Sequence, residues 1–172
     1  MPVSIDGEKI FVGSWERSYE GVKRGLRAYD TETGTLLWRL DEGKIRNIFV
    51  YQKYLIAAKA LTCILKVDIE SGAIMDCLKS GSVEHIFDLG FPYVLADTLS
   101  GKLGLVDIEK MIVVKKYSSK VVNPSDCLSL VIRDAYLKDA KLIISGFEEY
   151  PGRNFNASGN KTFDRVIDNW AL

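Results

Sequence analysis

Several things are scarce in this 172-residue chain, and each scarcity removes a class of function. There is one histidine, His85, so no multi-histidine metal site can be assembled from this chain alone. The cysteines are three, Cys63, Cys77 and Cys127, an odd number without CxxC spacing. That pattern fits neither a zinc site nor a secreted disulfide framework. Cys63 and Cys77 could meet across a hairpin, either as a disulfide or, as the reading preferred here, as two small buried apolar residues. Charge of one sign is also missing: 23 Lys and Arg balance 23 Asp and Glu. No net field draws the chain to nucleic acid or to an anionic membrane. No apolar run is long enough to span a bilayer. The start, MPVSIDGEKIFVGSW, lacks the basic and apolar regions of a signal peptide. The expectation is a cytoplasmic protein without membrane partners. No Walker A, GxGxxG, HExxH or GxSxG motif occurs, and DTETG and DIESG are too short for a calcium loop. No cofactor and no metal are expected. Two N-x-S/T triplets, at Asn156 and Asn160, would matter only in a secreted protein.

What the chain does contain is repetition. LRAYDTETGTLLWRL from Leu26, ILKVDIESGAIMDCL from Ile64 and LGLVDIEKMIVVKKY from Leu103 align without gaps. Asp30, Asp68 and Asp107 fall in register, 38 and 39 residues apart, and Gly34 matches Gly72. Each copy is a β-type run, an acidic turn and a second β-type run. An Asp side chain accepts a backbone N–H two residues on, and Gly supplies a positive φ, so together they reverse the chain. In the third copy Lys or Met replaces the glycine, which predicts a changed turn type in a hairpin that still forms. Between the hairpins IRNIFVYQKYLIAAK from Ile45 resembles VEHIFDLGFPYVLAD from Val83. No window has a sustained helical stripe. Four short strands in each period near forty residues point to a β-propeller.

Ala28-Tyr29-Asp30-Thr31-Glu32-Thr33-Gly34-Thr35-Leu36-Leu37-Trp38 resembles the tryptophan-docking repeat of quinoprotein-like propellers, A-x-D-x-x-x-G-x-x-x-W. The resemblance implies that Trp38 packs between neighbouring blades and that Asp30 and Gly34 shape the turn that meets it. It covers roughly residues 9–145. The WD-repeat type is a close competitor, although its Trp-Asp and Gly-His signatures are absent. A quinoprotein enzyme is rejected, since no cofactor or calcium ligand of that family maps onto this chain.

The expected fold is therefore all-β, with propeller-type blades of four antiparallel strands. The expected domain is 1–172, with repeats at approximately 9–50, 53–88, 92–133 and 139–172. The first blade takes strands near 9–14, 25–30, 35–41 and 45–50. Residues 2–5 are expected to add an outer strand to the last blade if the ring closes. The count, about three and a half to four blades, leaves an incomplete or fragment propeller as the preferred reading and a closed four-blade ring as the alternative. Asp30, Gly34, Trp38, Asp68, Gly72 and Asp107 are assigned to the structural repeat, and His85 to a structural role.

Two long loops, 14–24 and 146–160, are the candidate working surface. They offer Trp15, Arg17, Tyr19 and Arg24 in the first, and Phe147, Tyr150, Arg153 and Phe155 in the second. Aromatic and Arg side chains dominate interface hot spots, and long loops on rigid scaffolds commonly carry function. Glu16, Glu20, Glu148 and Glu149 dilute the positive charge, which argues against nucleic acid. The expected function is a non-catalytic interaction scaffold. Its partner would be another protein, a second copy or the rest of a longer propeller. The alternative is an enzyme or small-molecule binder with a site in the central channel, formed on oligomerisation.

Overall fold

The computed structural model describes residues 1–14, 24–79, 81, 83–98, 103–117, 129–139, 141–149 and 161–167. All regular structure among them is strand. The first sheet contains β1 (Val3–Asp6), β2 (Lys9–Gly13), β3 (Leu26–Asp30) and β4 (Leu36–Leu40), in that order. The second contains β5 (Ile45–Tyr51), β6 (Tyr54–Lys59), β7 (Cys63–Asp68) and β8 (Ile74–Leu78). The third contains β9 (Val83–Asp88), β10 (Tyr93–Thr98), β11 (Leu103–Asp107) and β12 (Ile112–Tyr117). The fourth, as described, has three strands: β13 (Ser129–Lys138), β14 (Lys141–Glu149) and β15 (Lys161–Ile167). Each sheet is a meander in which neighbours in sequence are neighbours in space. The all-β blades anticipated from the repeat are present.

Their phase differs by one strand from the sequence expectation. Residues 45–51 are the first strand of the second sheet, not the fourth of the first. The reason is local. Tyr51 pairs with Tyr54 across a two-residue loop, with Gln52 at φ 51°. So short a loop can join only adjacent antiparallel strands. Lys138 and Lys141 make the same closure in the fourth sheet. In the first, Asp6 pairs with Lys9 around Gly7 at φ 53°. That Asp-Gly hairpin places 3–6 in the first sheet, whereas the expectation for a closed ring put 2–5 in the last.

The chain forms two compact units, 1–86 with 108–112, and 87–107 with 113–172. In the first unit, Phe11, Leu26, Ala28, Trp38 and Leu40 of the first sheet pack with Leu55, Ala57, Cys63, Leu65 and Val67 of the second. Cross-strand register explains the choice of face: Phe11 pairs with Ala28 and Ala28 with Trp38, so all three project from one side. In the second unit, Leu95, Leu103 and Leu105 pack with Ile132, Ala135, Leu142, Ile144 and Ile167. Such dry, interdigitated β-branched and Leu surfaces supply most of the folding free energy.

Candidate functional site

The acidic turns come first, because clustered carboxylates are the usual hint of chemistry. Asp30 Oδ1 accepts from the Thr33 N–H at 2.7 Å, the Thr33 hydroxyl at 2.7 Å and the Glu32 N–H at 3.1 Å. Asp68 Oδ1 repeats the pattern with the Ser71 N–H and hydroxyl, both at 2.8 Å, and the Glu70 N–H at 3.2 Å. The Gly34 and Gly72 N–H groups then donate to the Asp30 and Asp68 carbonyls. The Thr33 hydroxyl and N–H hold the Asp30 carboxyl below the usual carboxylate range. The Ser71 N–H and hydroxyl do the same for Asp68. Both acids are occupied in shaping their own turns. The third copy departs: Asp107 is buried, and Met111, four residues on, takes the glycine position at φ 53°. Gly34 and Gly72 stand at φ 68° and 71°. The hairpin forms without the glycine, as expected, and Met111 itself takes the left-handed conformation while its side chain is buried.

Trp38 joins the first sheet to the second. Its indole Nε1–H donates to the Ile69 carbonyl at 2.9 Å, immediately after Asp68. Its ring covers Gly72 so closely that a Cβ there would lie 2.7 Å from Cδ2. Phe11 supports the indole from within its own sheet, with ring centroids 5.9 Å apart. The Lys9 ammonium reaches Glu70 in the same turn at 2.7 Å. Gly72 therefore meets two demands, a positive φ and room for an indole.

One strand pair further along the chain, the same task has a different agent. Lys66 Nζ donates to the Ile108 and Glu109 carbonyls, both at 3.1 Å, and Ile108 immediately follows Asp107. Its ammonium also lies 4.4 Å from the centroid of the Tyr54 ring, a cation–π arrangement. Ala28 faces Trp38 across β3–β4, and Lys66 faces Asp76 across β7–β8 at the matching register. The side chain that caps the next turn has moved from the fourth strand to the third. Sequence reading missed Lys66 because it sought a tryptophan.

An ion pair between a half-buried arginine and a buried glutamate lies on the first strands of the second and third sheets. Arg46 Nη2 is 3.2 Å from Glu84 Oε2. Arg46 sits at a register shift between Ile45 and Asn47, and Arg133 occupies the same kind of shift between Ile132 and Asp134. Glu84 Oε1 and Asn47 Oδ1 are buried and accept no hydrogen bond from the described residues. His85 beside Glu84 is half-buried, and burial lowers its pKa against the opposing pull of Glu84.

Of the loop candidates, Trp15, Arg17, Tyr19, Tyr150, Arg153 and Phe155 lie outside the described residues. Phe147 lies on β14, with its backbone in register with Val131 and Thr162. Arg24 is half-buried at the end of the first loop, its carbonyl accepting from the Gly43 N–H at 3.2 Å. Cys63 and Cys77 are thiols, and only Cys63 is buried. The expectation of two buried cysteines is corrected for Cys77, which sits on the exposed edge strand β8. Burial pushes the Cys63 thiol up to about 11, aided by the neighbouring Cys77 thiol. Among the described residues, no group of three His, Cys, Asp or Glu is placed to hold a metal ion. No helix among them is long and apolar enough to cross a membrane.

No protein-family model matches the chain, and no curated protein matches it. Solved structures do. The computationally designed Ika4 protein is similar with a TM-score of 0.64 at 14% identity, over 96% of this chain and 89% of that one. The WD40 β-propeller domain of Doa1 is similar at 0.57 and 13% identity, over 96% and 52%. BamB from Moraxella catarrhalis is similar at 0.59 and 16% identity, over 95% and 48%. The chain thus spans about half the length of the Doa1 and BamB chains. These likenesses establish the fold: the sheets are blades of the β-propeller type, as the repeat indicated.

Proposed function

We propose that this protein is a non-catalytic interaction scaffold, a set of rigid propeller blades that present loops to another protein. The observation that carries the reading is the employment of the turn carboxylates. Asp30 and Asp68 each hold three hydrogen bonds within their own turns, so these two of the recurring acids serve shape. What the sequence adds to that frame is the pair of aromatic- and Arg-bearing loops around Trp15 and Arg153. A second reading, a binding site on the first strands of the blades, has one observation in its favour: the Arg46–Glu84 pair, with Glu84 Oε1 buried and unmatched by a donor among the described residues.

The experiment that tests the scaffold reading is site-specific photo-crosslinking in cells. A photoreactive residue at Trp15 or Arg153 is expected to trap one defined protein, and the same residue at Met75, on the exposed edge strand β8, is expected not to. Equal trapping at all three positions, or none at the loops, overturns it. Loss of a small-molecule-dependent thermal shift on Glu84→Gln, with loop cross-links absent, would favour the second reading.

A further inference from the structure

The blades are two-sided, and register assigns each side chain to a side. On the first blade, the side carrying Phe11, Ala28 and Trp38 is packed against the second blade. Its opposite side carries Ile5, Ile10, Tyr29 and Leu36, which are linked by successive cross-strand pairs. Beside that apolar row runs a second row, Val3, Val12, Arg27 and Arg39. Val3 is 50% exposed, Ile5 65% and Leu36 46%. Arg27 and Arg39 both reach the Asp41 carboxylate, at 3.6 and 3.5 Å, and the row carries their two guanidinium groups.

The fourth blade has the complementary construction. Its side carrying Ala135, Leu142, Ile144 and Ile167 belongs to the core of the second unit. Its other side carries the apolar row Tyr136, Ile143 and Val166, with Tyr136 42% and Val166 51% exposed. The adjacent row is Asp134, Ser145 and Asp164, with both carboxylates exposed. Val166 stands two residues before Asp168, where Ala28 and Leu105 stand before Asp30 and Asp107. Those two counterparts are buried. A soluble chain rarely leaves such sheet faces bare without a partner.

We propose that a second copy of this chain docks head to tail on these faces, the fourth blade of one protomer against the first blade of the other. The packed seam between the first two blades is the template. There, the row containing Phe11 and Ala28 lies in one cluster with the row containing Leu55 and Val67. Register makes Ile143 and Val166 the counterparts of the former, and Ile10 and Tyr29 the counterparts of the latter. On that template the apolar rows meet, and the acidic row of Asp134 and Asp164 meets the basic row of Arg27 and Arg39. Apolar burial supplies the attraction and charge complementarity fixes the register. Such a contact is heterologous, and the proposed dimer uses it twice, once with each protomer's fourth blade. This goes beyond the scaffold reading, which stands or falls on the loop cross-links and needs no dimer.

The test is the solution mass of the full chain by light scattering across a concentration series, repeated for Asp164→Arg, Arg39→Asp and the double variant. All the substituted side chains are exposed, and thermal melts confirm that each variant folds. The expected result is twice the 19.3 kDa chain mass. Each single reversal is expected to raise the dimer dissociation constant about tenfold or more, and the double variant to recover most of it. A monomer at every concentration overturns the proposal, as it would if the faces were closed within one chain or reserved for another protein. A dimer that neither reversal weakens overturns it too, because the contact would then lie elsewhere.

Discussion

The seam from the first blade to the second and the contact from the second to the turn at Asp107 satisfy the same backbone group with different chemistry. In the first, an indole on β4 donates to the Ile69 carbonyl and lies over a glycine. In the second, an ammonium on β7 donates to the Ile108 and Glu109 carbonyls. In both, the target is the carbonyl immediately after the turn aspartate. The requirement therefore belongs to the backbone: a carbonyl at the edge of a packed seam needs a donor, and any long side chain that arrives with one will serve. The residue type is free to change, and the tryptophan signature fades with it. The glycine position shows the same substitution of means. Gly72 is demanded by the indole above it, whereas Met111 tolerates a positive φ while burying its side chain.

The comparison can be broken most severely at Trp38. Trp38→Ala removes a large partly buried ring and the donor to Ile69, and is expected to cost about 3–5 kcal/mol. A urea melt reads this directly, and a loss below about 1 kcal/mol would mean that the indole is not a structural seam element.

The two matched glycines come next. Gly34→Ala and Gly72→Ala introduce the same strain at φ 68° and 71°. Only Gly72 has a ring within 3 Å of the new Cβ; nothing lies within 4 Å of Gly34. Gly34→Ala is expected to cost about 1 kcal/mol and Gly72→Ala about 2–3 kcal/mol. Equal costs in paired denaturation curves would show that the ring yields freely. Lys66→Met keeps the stem and deletes the ammonium, leaving two carbonyls without that donor. About 1–2 kcal/mol of destabilisation is expected, less than for Trp38, because little apolar area is lost. A variant that melts with wild type would separate the two contacts in kind.

The smallest effect is in pH. Asp30 and Asp68 are held below the usual carboxylate range in the folded chain, by Thr33 and Ser71 respectively. A depressed folded pKa contributes stability above the unfolded value, near pH 4, that is lost as pH falls through the folded value. The double variant Asp30→Asn, Asp68→Asn is therefore expected to melt with a shallower decline below about pH 4 than wild type. Superimposable acid profiles would mean that these turns are held by their backbone bonds alone.

Much of this was legible because turns are local. The positions of Asp30, Asp68, Gly34 and Gly72 could be read from the chain, since an Asp that accepts its own turn's N–H groups and a Gly at positive φ need no distant partner. The repeat near forty residues, once divided into short strands, identified blades. Less legible was the phase. The closures at Tyr51–Tyr54 and Lys138–Lys141 lack an Asn-Gly or Asp-Gly pair, and the one at Asp6-Gly7 falls where no repeat had been aligned. Lys66 was invisible for a further reason: nothing in a lysine flanked by Leu65 and Val67 announces that a carbonyl 42 residues away lies within its reach.

By itself, then, the sequence determined the all-β class and the hairpins that recur with Asp30, Asp68 and Asp107, because short-range hydrogen bonding and strand periodicity are written within a dozen residues; the docking of Trp38, whose partner Ile69 lies 31 residues on, was implied only by the resemblance to the tryptophan-docking repeat. Only the tertiary structure decided which strands share a sheet, which side of the first and fourth blades joins a core cluster and which carries exposed apolar residues, and which side chain caps the turn after Asp107. Those outcomes depend on register between strands, and a shift of one residue exchanges the buried and exposed faces of a whole strand.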